Sequence, residues 1–183
     1  MHQESDTSYH LTTPGLGTEH KKLTQMSLET SIPEVEAIDL CLKLVELLEL
    51  IHHKNVVHTN LCPDEIFLRN KDIDQMQFLN LYHCAKDPKG EIGFKYISES
   101  KDISKFDIRT RNINYISPEQ VHAGKELNDI AEMNNGKMDP ENQAIIDFIN
   151  ENDAKITKKC DIYSLGAILY KFLIGSAPQA KIS

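Results

Sequence analysis

The chain has 183 residues, 40% of them hydrophobic, and carries 28 acidic against 20 basic side chains for a net charge of −8. That length and apolar content are enough to bury one sizeable core, so the chain reads as one domain or part of one. The acidic balance argues against a nucleic-acid partner, which would call for a basic face or stripe, and Lys158-Lys159 is too short to supply one.

Residues 1–30 are rich in Ser, Thr, His and Gln and are broken by Pro14, Gly15 and Gly17. They predict a flexible or extended tail whose order would have to come from a partner. No basic segment followed by an apolar run stands there, so no signal peptide is expected. Cys41, Cys62, Cys84 and Cys160 show no C-x-x-C spacing and lie in or beside apolar segments, as reduced thiols of a cytoplasmic protein would. The apolar stretches near Leu40 to Ile51 and Ile162 to Ile174 are too short or too interrupted to span a bilayer, so no membrane insertion is expected.

Ser31-Ile32-Pro33-Glu34 has the form of a capping box with proline in the first turn, predicting a helix from about Pro33 to His52. Glu36, Asp39, Lys43 and Glu46 make one polar stripe on it. Leucine, isoleucine and valine cover most of the remaining circumference, so the helix is expected to be buried on most sides. Polar groups then interrupt an apolar run in Val56-Val57-His58-Thr59-Asn60-Leu61-Cys62-Pro63-Asp64-Glu65-Ile66-Phe67-Leu68. Ile66 to Arg69 and Met76 to Leu81, joined by the polar turn Asn70 to Asp74, predict a hairpin. A second, surface hairpin is predicted around Asp87-Pro88-Lys89-Gly90, with Ile92, Phe94 and Tyr96 alternating behind it.

Further on, a loop through Gly136 and Asp139-Pro140 predicts a helix over about Gln143 to Asn152, capped by Asp139, with Ile145, Phe148 and Ile149 on one face. That face either packs on its own domain or docks a neighbouring protein. Asp161 to Gly175 is apolar around nearly its whole circumference and ends at a glycine, which predicts a helix in the centre of the fold.

The stretch His58-Thr59-Asn60-Leu61-Cys62-Pro63-Asp64-Glu65 resembles the catalytic loop of the protein kinase family, His-Arg-Asp-Leu-Lys-Pro-x-Asn followed by a short apolar strand. His58, Leu61 and Pro63 match. Thr59 replaces the arginine, Asn60 the aspartate base, Cys62 the lysine and Glu65 the metal-binding asparagine. Asn80-Leu81-Tyr82 stands where the family has Asp-Phe-Gly, whose aspartate binds magnesium. Asn112 to Glu119 resembles the Thr-x-x-Tyr-x-x-Pro-Glu ending of the activation segment, keeping Tyr115, Pro118 and Glu119. Asp161-Ile162-Tyr163-Ser164-Leu165-Gly166 resembles the helix that anchors the family's lower lobe.

The resemblance spans roughly Ser31 to Gly175 and implies an α+β, mainly helical fold: a partial kinase-like C-terminal lobe over 31–183 with short β-hairpins and an insertion at about 121–157. It implies structural roles for His58, Tyr115, Pro118, Glu119, Asp161 and Gly166, with Asp161 holding the loop backbone near His58 and Thr59. It also accounts for His52 and His58 as packing residues. No acidic or cysteine ligand set follows His52, His53 and His58 at a fixed spacing, so no metal is expected there. No glycine-rich loop or Val-Ala-Ile-Lys strand precedes the first helix, and the usual arginine partner of Glu119 is not found.

Phosphoryl transfer is catalysed almost wholly by positioning and electrostatics. Loss of a general base alone costs about 10²–10⁴-fold, so the chain is expected not to be an enzyme and to need no cofactor. The resemblance then implies a pseudokinase-like structural or scaffold subunit whose partners are other protein subunits, with a ciliary or cytoskeletal setting suggested by its type. The alternative is a nucleotide-binding regulator completed by an upper lobe elsewhere, with Glu65 as a surviving metal ligand. ATP binding by this chain alone is not expected.

Overall fold

Helix α1, Glu34–His52, is the longest element of the computed structural model, which describes residues 19–25, 32–78, 84–86, 108, 111–134, 143–152 and 155–179. Pro33 is its N-cap, in an extended conformation, and the Pro33 carbonyl accepts the Ala37 N–H at 3.0 Å to open the helix. The capping serine expected at Ser31 lies outside the described residues. Ala37, Leu40, Cys41, Leu44 and Leu48 face the core, but Val35, Ile38, Leu42, Val45 and Leu50 are exposed. The helix is therefore buried on one face rather than on most sides.

From α1 the chain passes through β2 (Val56–Val57) and the loop at His58 into a 3₁₀ turn, Pro63–Glu65. The predicted hairpin follows as β3 (Ile66–Arg69) and β4 (Asp72–Phe78). Its turn is tighter than the sequence implied: Asn70 and Lys71 alone make it, at φ 54° and 61°. Both angles are positive, and such a two-residue turn matches the twist of the strands it joins. The register then slips between Leu68 and Arg69. Asp72 ties off the extra residues, its Oδ1 accepting from the Asp74 N–H and its Oδ2 from Gln75 Nε2.

The third strand comes from within the expected tail. His20–Lys22 (β1) pairs antiparallel with β3, giving the order β1-β3-β4, and Leu23 is 1% exposed in the core. Residues 19–25 are thus held by backbone pairing and burial within the chain. Composition misleads here because a single buried leucine and an edge strand suffice to hold so short a segment. Residues 1–18 lie outside the described set. Strand β5 (Ala85–Lys86) pairs antiparallel with β2, while the predicted surface hairpin lies outside the described residues, as do Asn80, Leu81 and Tyr82.

Helix α2, Pro118–Met133, opens inside a capping box of Ser117 and Gln120. It occupies the first part of the region 121–157 read as an insertion, in which residues 135–142 and 153–154 lie outside the described residues. Asp139 and Pro140 fall among those. Helix α3, Gln143–Asn152, forms where predicted, but Ile145, Phe148 and Ile149 are 0%, 2% and 6% exposed. They pack with Ala123, Leu127, Ile156 and Cys160, so this face closes a second small core within the chain.

Helix α4, Lys158–Ile174, is capped by Thr157 and ended by Gly175 in the left-handed region at φ 85°. Cys160, Asp161, Ser164, Ala167, Ile168 and Phe172 are buried, yet Ile162, Tyr163, Tyr170, Leu173 and Ile174 are exposed. Only one side of α4 is covered, contrary to the central position its composition predicts. The architecture of the described residues is α+β and mainly helical, with four α-helices and a small three-stranded antiparallel sheet. No described helix is long and apolar enough to cross a membrane.

Candidate functional site

The loop from His58 to Cys62 is held from three directions. From α4, the fully buried carboxylate of Asp161 accepts the backbone N–H of His58 on Oδ2 at 2.8 Å and that of Thr59 on Oδ1 at 2.9 Å. His52, at the end of α1, places Nε2 2.8 Å from the same Oδ2. His52 is thus a hydrogen-bonding member of the site and not merely a packing residue. Hydrogen bonds to a buried carboxylate are charge-assisted and among the stronger ones a protein makes.

The other two directions converge on the Thr59 carbonyl. Arg111 Nη1 donates to it at 2.7 Å and Gln120 Nε2 at 2.8 Å. Thr59 sits at φ 62°. For a β-branched residue this left-handed conformation costs about 1–3 kcal/mol and persists only where surrounding bonds over-determine it. Here the N–H is tied to Asp161 and the carbonyl to two donors. Gln120 is also anchored, its Oε1 accepting from the Ser117 N–H at 3.1 Å. No arginine stands at position 59, yet the guanidinium of Arg111 reaches the same loop from the segment before Tyr115.

The remaining loop groups are enclosed. His58 stacks edge-on against Phe78, with ring centroids 5.1 Å apart, and its Nδ1 accepts the Asn60 N–H at 3.4 Å. Asn60 is 4% exposed, and its Oδ1 meets no hydrogen-bond donor among the described residues. Burial pushes the Cys62 thiol up to about 11, so it is uncharged at neutral pH. Asp64 accepts from Thr24 Oγ1 at 3.0 Å, a bond that joins the β1 segment to the loop. Glu65, half-buried, closes the 3₁₀ turn by donating its N–H to the Cys62 carbonyl at 3.0 Å.

Tyr115 is buried, and desolvation pushes its hydroxyl up to about 12. Pro118 is the first residue of α2. Glu119 Oε1 accepts from Cys160 Sγ at 3.4 Å, so this carboxylate contacts α4 through a thiol. Gly166 is exposed, and a Cβ added there would meet nothing within 4 Å; packing within this chain does not require glycine at that point. Among the described residues no three His, Cys, Asp or Glu side chains come together as a metal ion would need.

The structure therefore gathers His58, Thr59, Asn60, Cys62 and Asp161 into one site, joins His52 to it by a hydrogen bond, and adds Arg111 and Gln120, which sequence reasoning missed. Gln120 was within reach, because Ser117-x-x-Gln is itself a capping-box signature. Nothing in the sequence singles out Arg111. Chemically, the arrangement fixes a backbone: the Asp161 carboxylate holds the N–H groups of His58 and Thr59, and the Thr59 carbonyl is held by Arg111 and Gln120. Comparison with protein-family models and with curated proteins gives no match to this chain.

Proposed function

We propose that the chain is a non-catalytic, pseudokinase-like structural or scaffold subunit of a larger protein assembly. The loop around Thr59 carries this reading. Where the resemblance puts a proton-accepting aspartate, Asn60 is buried and cannot ionise; where it puts a lysine, Cys62 is an uncharged thiol. Asp161, which holds the loop backbone from α4, has its carboxylate taken by two N–H groups and His52. General acid–base chemistry needs a titratable group within reach of a substrate proton, and at the position where the resemblance puts the base Asn60 supplies none.

The order of elements supports the pseudokinase-like part of the proposal: a long helix into a loop, a hairpin behind the loop, and a later helix whose aspartate reaches back to it. The exposed apolar residues of α1 and α4 support the assembly part, since large apolar patches mark interaction surfaces. A cytoplasmic setting accords with four unpaired cysteines.

The test is to recover the native chain with whatever it binds, weigh the components intact, and titrate the sample with magnesium and ATP while following thermal unfolding. Stoichiometric protein partners and no magnesium-dependent ATP shift are expected. A saturable shift would sink the scaffold reading in favour of a nucleotide-binding regulator, and phosphate transfer would sink it outright.

A further inference from the structure

We draw no further inference here: the strongest candidate, the exposed apolar surface that Val35, Ile38, Leu42 and Val45 form on α1, is an unpartnered helix face, and nothing in the structure shows what covers it.

Discussion

Thr59 donates its backbone N–H to Asp161 Oδ1 at 2.9 Å across 102 residues of sequence, and does so at a φ of 62° that a β-branched residue rarely adopts. Asp161→Ala would leave two buried N–H groups unpaired and release the strain they restrain. A loss of about 3–5 kcal/mol is expected, read as a lower urea midpoint. Asp161→Asn, which keeps one acceptor oxygen, should lose roughly half as much. A loss under about 1 kcal/mol for the alanine variant would show that the loop holds itself.

Gln120 works at both ends, accepting from the Ser117 N–H and donating to the Thr59 carbonyl. Gln120→Leu should destabilise by about 1–3 kcal/mol, because the buried Ser117 N–H loses its acceptor while the Thr59 carbonyl keeps Arg111. Gln120→Glu keeps the first bond but sets a carboxylate against a carbonyl oxygen. Its defect should therefore shrink as pH falls and the new carboxyl gains a proton to donate. Urea titrations at pH 7 and pH 5 check this, and a defect that grows towards pH 5 would contradict it.

The thiols give a pH dependence of known sign. Burial pushes Cys41, Cys62 and Cys160 from the ordinary value of 9.0 up to about 11. The unfolded chain releases these protons near 9, while the folded chain keeps them to about 11. Between those values the folded state binds more protons, so stability is level below pH 9 and falls as pH rises towards 11. In the same way these cysteines should react slowly with a thiol reagent at pH 8 until the chain is unfolded. Rapid reaction of all three in the native protein would rule out their enclosure.

The two glycines of α4 should respond in opposite directions. Gly166→Ala replaces an unhindered helix-interior glycine and should stabilise the isolated chain by about 0.5–1 kcal/mol. Gly175→Ala puts a side chain at φ 85° and should destabilise by about 1–2 kcal/mol. Thermal melts of the two variants decide it, and shifts of the same sign would refute the assignment of Gly175 as the left-handed cap.

Phe148 distinguishes packing from docking on α3. At 2% exposure against α2, Phe148→Ala should cost about 3–5 kcal/mol in the chain alone. An unchanged urea midpoint would return this face to the surface.

Local pattern made much of the architecture legible. The period of Leu40, Leu44 and Leu48, the apolar run at Ile66 to Leu68 and the glycine after Ile174 predicted α1, the hairpin and the end of α4, because each depends on neighbours in sequence. Prediction failed where the decisive partner is remote. His20 to Lys22 form a strand only because the edge of β3 is open to them. Ile38, Leu42 and Ile162 were expected inside because they are apolar, but hydrophobicity does not say how much surface the neighbouring elements can cover.

For the site, the sequence by itself determined which groups are present: an asparagine and a thiol where the resemblance calls for a base and a cation, and an aspartate at the head of α4. Those are facts of chemistry carried by each residue alone. Only the tertiary structure decided what they do together. It brought Asp161 to the loop across 103 residues, set Arg111 and Gln120 on one carbonyl and turned the apolar sides of α1 and α4 to solvent. Hydrogen bonds act over about 3 Å and burial depends on which surfaces meet, so both are settled by the folded path of the chain.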